Sequence, residues 1–148
     1  MERKKRITDD ARNRKVQRAV SGVLAWLGAS QTYKIVLRFV RDLEEGHRKD
    51  AAATVDEDYP YREITITFVR HFVDAADKEE LEMLVLHELL HVLIFGPIGR
   101  FVGEKSETMA YLDLEESAVD MATWYILRLK PKTGFPVPLR NRSLAYTP

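Results

Sequence analysis

The sequence predicts an α+β domain in which one helix precedes a small, mostly antiparallel sheet and two helices follow it. Three patterns carry this expectation. Apolar residues recur at helical spacing near the N-terminus, alternate with a period of two in two central segments, and return to helical spacing in the second half. With 148 residues, 45% apolar and 31% charged, the chain fits a single globular domain spanning residues 1–148.

Thr8 or Asp9 is a suitable N-cap for a first helix running to about Gly28, with Val16, Ala19, Val20, Val23, Leu24 and Leu27 on its inner side. Its polar side carries Arg12, Arg14, Lys15 and Arg18. So short a charge cluster reads as a solvated helix face, and no nucleic-acid partner is expected. "TYKIVLRFV" sets Tyr33, Ile35, Leu37 and Phe39 against Lys34 and Arg38, which is the period of a half-buried strand. "EITITFVR" alternates in the same way, with Ile64, Ile66 and Phe68 facing one side and Thr65 and Thr67 the other. The polar stretch between them reads as loop with a short extra strand at Ala52 to Val55.

Two helices should follow. Asp77 caps the first, which has Glu79 and Glu80 in its opening turn and reaches Phe95, where "GPIG" is expected to stop it. The second should run from about Ser106 to Leu129 and end at Pro131. Residues 131–148, rich in proline, should form an irregular tail. Trp26 and Trp124 are expected in the core and His47 at the surface.

The absence of cysteine excludes a disulfide framework and any thiolate ligand or nucleophile. Lysine and arginine balance aspartate and glutamate, so net charge points to no partner class. No signal-like apolar core follows the charged N-terminal residues, and the run from Met83 to Phe95 is too short to span a bilayer. The expectation is a cytoplasmic protein with no membrane partner.

Within that run, "LEMLVLHELLHVLIFGP", only His87, Glu88 and His91 are polar. The helix is apolar almost all round, which implies burial on most sides. Three polar side chains buried without partners would cost about 1 to 3 kcal/mol each. A metal ion supplies what they lack. His87 and His91, four residues apart, share one helix face and can reach the same ion, while Glu88 can reach a metal-bound water.

Zinc needs a further protein ligand. No histidine follows His91 and there is no cysteine, which leaves a carboxylate or, less favourably, His47 or His71. "LDLEESAVDMA" offers it. Glu116 lies one turn before Asp120, so one carboxylate can bind metal while the other orients a histidine through its second ring nitrogen. Glu115 has no such acidic partner and stands as the alternative ligand.

"HELLH", followed after 24 residues by Glu116 in "ESAVD", resembles the gluzincins, the thermolysin-like zinc peptidases, whose pattern is HExxH on one helix and ExxxD on the next. The resemblance implies His87, His91 and Glu116 as ligands of Zn2+, Glu88 as general base and Asp120 as the hydrogen-bond partner of the first histidine. The asparagine usual before the third ligand is Glu115 here, so both glutamates stay open. It also implies a zincin-like fold, in which an edge strand beside the active-site helix holds an extended peptide or protein substrate, with Ile64 to Arg70 as the candidate strand.

In the mechanism so implied, zinc lowers the pKa of its bound water to about 7, and Glu88 moves a proton from that water to the leaving amine. Tyr111, Tyr125 and His71 are candidates to stabilise the oxyanion. Glu104, Glu107, Asp113 and Glu115 would favour basic substrates. Two other readings fit the same motif. One is an ImmA/IrrE-like regulatory protease that cleaves a specific repressor. The other is a non-catalytic zinc-binding interaction domain, which would have no need of Glu88.

Overall fold

The computed structural model describes residues 7–27, 33–43, 51–58, 61–103 and 108–129. The expected starts or stops at Gly28, Ser106 and Pro131, the tail, His47, Glu104 and Glu107 lie outside these. The α+β class is the one observed: helix α1 (Asp9–Leu27), strands β1 (Lys34–Val40), β2 (Ala53–Asp58) and β3 (Glu63–Val69), then α2 (Arg70–Ala75), α3 (Lys78–Leu90), a π-helical turn (His91–Phe95), α4 (Gly96–Val102) and α5 (Met109–Leu129).

Local chemistry accounts for the helix starts. The Ala11 N–H donates to Thr8 Oγ1 at 3.3 Å, which makes Thr8 the cap of α1. Asp77 and Glu80 form a reciprocal capping box at α3, with bonds of 2.9 and 2.8 Å. Thr108 caps α5, accepting from the Tyr111 N–H at its hydroxyl and from the Leu112 N–H at its carbonyl.

The sheet order is β1-β3-β2, with β1 parallel and β2 antiparallel to β3, so the sheet is mixed rather than mostly antiparallel. Only four residues separate β2 from β3 in sequence, which favours an antiparallel pair, whereas β1 lies beside the other edge of β3 after a connection that contains β2. β3 is therefore central, with both edges paired. β2 is longer than the predicted Ala52 to Val55, because cross-strand pairing overrides the low strand propensity of the acidic "DED" run. α2 was not anticipated from the pattern at all.

One face of the sheet carries Ile64, Ile66 and Phe68, all fully buried, flanked by Ile35, Leu37 and Phe39 on β1 and by Ala53 and Val55 on β2. Against this face pack Val16, Val20 and Val23 of α1 and Leu81, Val85, Leu86 and Leu89 of α3. α1 is also pinned to α2. The Arg12 guanidinium spans both Asp74 carboxylate oxygens at 2.7 and 2.6 Å, and the Lys15 ammonium donates to the Val73 and Ala76 carbonyls at the end of α2.

"GPIG" does not end the helix. The Gly96 N–H bonds the His91 carbonyl five residues back, and this widened turn places Pro97 at the start of α4, where its missing N–H costs nothing. A Cβ on Gly96 would lie 3.0 Å from Glu57 Oε2, so the carboxylate passes close to this backbone. Gly103, with φ 66°, stops α4 instead. The rod from Lys78 to Val102 is long and apolar enough, by length and composition, to cross a membrane, which corrects the count based on Met83 to Phe95. Here Leu81, Val85, Leu86, Leu89 and Leu90 of that rod belong to the core. Trp26 packs against the core as expected, but Trp124 is 49% exposed, its ring covered by the Arg128 guanidinium at 3.6 Å.

Two substitutions test this account by chemical denaturation. Asp77→Ala should cost about 1 kcal/mol through loss of the capping box. Thr123→Val should be neutral or stabilising, because the buried Thr123 Oγ1 has no hydrogen-bond partner among the described residues.

Candidate metal centre

Helical spacing turns His87 and His91 to the side of α3 away from α1, toward α5. The π-helical turn begins at His91, where the α-helical ladder gives way. Glu116, facing them from α5, brings one carboxylate oxygen 3.2 Å from His87 Nε2 and the other 3.3 Å from His91 Nε2. The two Nε2 atoms are 3.2 Å apart. One ligand atom from each of His87, His91 and Glu116 lies within 4.8 Å of the others, a group able to hold a metal ion.

The outer nitrogens are also engaged. His87 Nδ1 is 3.1 Å from Asp120 Oδ1, and His91 Nδ1 is 2.7 Å from Glu115 Oε1. Four acidic or imidazole contacts thus join α5 to α3 at this one place. A neutral imidazole has one N–H, and a carboxylate acceptor at Nδ1 draws that proton there. With the proton of each ring on Nδ1, both Nε2 atoms would present lone pairs to each other and to the Glu116 oxygens. Such an arrangement is repulsive alone and attractive around a cation.

Burial, helped by His91, holds the His87 imidazole below its usual range against the upward pull of Glu116 and Asp120. Glu88 is only 6% exposed, and its carboxyl is pushed up to about 8, first by burial and then by the charge of Glu116. It lies beside the pair, lining the same cleft.

That cleft has two lobes that share Ala51, Ala53, His87, Glu88 and Glu116, one of about 600 Å3 toward Phe72, Thr123 and Trp124, the other of about 500 Å3 toward Val55, Glu57 and Leu112. β2 forms one wall of it. The expected substrate strand, Ile64 to Arg70, is β3 and its first helical residue, whose backbone is paired on both edges by β1 and β2 and has nothing left for a peptide. The bond from the Val69 N–H to the Ala52 carbonyl sets the register, and by alternation the N–H and C=O groups of Ala53, Val55 and Glu57 point to the outer edge of β2, free of any strand among the described residues.

Of the residues singled out from sequence, His87, Glu88, His91, Glu115, Glu116 and Asp120 come together. Tyr111 lines an adjoining recess with His91 and Glu115, its hydroxyl buried without a hydrogen-bond partner among the described residues, and burial followed by the Glu115 charge raises its pKa. Tyr125 is 56% exposed and packs on Trp124, and His71 is exposed on α2, so neither joins the group. Asp113 is exposed on α5. The sequence pattern missed Glu57, which lines the second lobe and bonds the Arg100 guanidinium at 2.6 Å; an acidic residue in a strand carries no local signal of such a partner.

No protein-family model matches this chain and no curated protein matches its sequence. Among solved structures, it is similar to the metallopeptidase zymogen of Methanocaldococcus jannaschii jannalysin, with a TM-score of 0.37 and 16% sequence identity over 82% of this chain and 96% of that one. At that level the likeness carries no functional argument, and the site has to be judged on its own geometry.

The proton assignment is open to test by 15N NMR of the metal-free protein near pH 8. His91 should carry its proton on Nδ1, and Glu115→Ala should move a measurable share of it to Nε2. A native His91 protonated at Nε2 would contradict the assignment.

Proposed function

We propose that this chain is a zinc-dependent metallopeptidase that hydrolyses peptide bonds in an extended substrate. The convergence of two imidazole lone pairs and the Glu116 carboxylate, with Glu88 buried alongside, is the observation that carries this reading. Zinc coordinated tetrahedrally at about 2.0–2.1 Å separates its donor atoms by about 3.3 Å. The 3.2 Å between His87 Nε2 and His91 Nε2 matches that edge, and Glu116 brings one oxygen to 3.2 Å from the first and its other oxygen to 3.3 Å from the second. A ligand set of nitrogen and oxygen with no sulfur suits zinc, and the carboxylates on both Nδ1 atoms are the outer partners that zinc histidines have.

His87, His91 and Glu116 would hold the ion. Asp120 and Glu115 would fix the two rings, so that Glu115 orients His91 rather than competing with Glu116 as a ligand. When bound, zinc would acidify a water and polarise the scissile carbonyl. With a cation held beside it, the Glu88 carboxyl, raised to about 8 by burial and the Glu116 charge, would be drawn back to its ionised form and would accept the proton of the attacking water and return it to the departing amine. The free edge of β2 would pair with the substrate backbone, which gives an extended peptide a defined track past the metal.

Metal content and cleavage of a fluorogenic peptide library distinguish these roles. Native protein should bind one zinc and cleave. Glu88→Gln should keep the zinc and lose about 100-fold to 10,000-fold in kcat. Glu116→Ala should lose zinc more completely than Glu115→Ala. Native protein that binds no zinc at neutral pH, or a Glu88→Gln variant as active as native, would overturn the proposal. Val55→Pro, which removes one N–H from the free edge of β2, should raise KM for extended peptides with little change in zinc content.

A further inference from the structure

A second cavity, of about 640 Å3, lies between α1 and the N-terminal half of α3, on the side of α3 turned away from His87. It shares no lining residue with the two lobes of the cleft. Ala11, Ala19 and Gly22 keep the surface of α1 low, and Leu81 closes the space from α3, so its floor is apolar. Around that floor stand four cations, Arg14, Lys15, Arg18 and Lys78, against the single carboxylate of Glu82.

Two of these cations, Arg14 and Arg18, are not consumed by the fold. On the same helix, Arg12 is neutralised by Asp9 and Asp74. Arg14 and Arg18, by contrast, have no ion pair or hydrogen bond among the described residues. They are four residues apart, a spacing at which like charges repel on a helix surface. Lys15 is held in place by two backbone carbonyls, which use two of its three donors and leave its charge uncompensated. Lys78 approaches Glu82 only to 3.8 Å, and Glu82 itself is 2% exposed.

We infer that this cavity binds a small organic anion with an apolar body. Its carboxylate or phosphate head lies among Arg14, Arg18 and Lys78, and its alkyl or aryl portion covers Ala11, Ala19, Gly22 and Leu81. The volume falls within the range of about 300–1,000 Å3 that small-molecule sites occupy, and an apolar lining with a few convergent charged groups is their usual composition. An anion there relieves the repulsion between Arg14 and Arg18. The site is independent of the metal centre and of any activity assigned to it.

Calorimetric titration with sodium decanoate tests this in the native protein, in the double variant Arg14→Ala/Arg18→Ala and in Gly22→Leu, which fills the floor without changing charge. Decanoate should bind native protein at one site. Its affinity should fall at least tenfold in each variant and with added salt, and decanol, the uncharged chain of equal length, should bind at least tenfold more weakly. Absence of saturable decanoate binding, equal binding of decanol, or unchanged affinity in either variant would overturn the inference. Sedimentation with phosphatidylglycerol vesicles without binding of free decanoate would also overturn it, because the cations would then serve a membrane surface rather than a cavity.

Discussion

The constraint on which the rest of the site depends is the close approach of His87 and His91 to Glu116 where the Lys78–Val102 rod meets α5. Val119 of α5 is fully buried and Ala122, Ile126 and Leu127 pack partly buried against the core, which docks the C-terminal half of that helix. The polar joint adds to this: Asp120 and Glu115 hold the outer nitrogens of His87 and His91, and Glu116 faces the inner ones. Without a cation the inner atoms would repel, and with one the same three groups would bind it and draw the helices together. Metal binding and the docking of α5 are therefore linked in a single free energy, as expected when a site is built across two elements.

α3 serves two masters. Its face toward the sheet and α1 carries Leu81, Val85 and Leu89, while the opposite face carries the histidines. Core packing on one side fixes the rotation of the helix and so aims the imidazoles on the other. The π-helical turn at His91 lets the rod continue into α4, where Arg100 reaches Glu57 on the edge strand. This ties the wall of the cleft to the end of the same rod that carries its floor.

Features set by local spacing were legible in the sequence. His87 and His91 share a helix face whatever surrounds them, and Glu116 and Asp120 are one turn apart on any helix; the caps at Thr8 and Asp77 are equally local. What depended on apposition was not legible. Glu115 differs from Glu116 only by the rotation of α5 against α3, and a single residue step swings a side chain by about 100°. The central place of β3 follows from a non-local pairing order, and the extension of β2 past the expected Val55 to Asp58 hid behind acidic residues that pairing with β3 accommodates. "GPIG" reads as a stop, yet a π-helical turn absorbs both glycine and proline. Arg14 and Arg18 were visible as a solvated face, but the cavity beside them exists only once α1 meets α3.

The central claim is that His87, His91 and Glu116 hold one ion through the two Nε2 atoms and a carboxylate. X-ray absorption at the zinc edge of the zinc-loaded protein tests it most directly. The account predicts a four-coordinate shell of nitrogen and oxygen at about 2.0–2.1 Å with the multiple-scattering signature of two imidazoles. A six-coordinate oxygen shell, or a spectrum without imidazole, would contradict it.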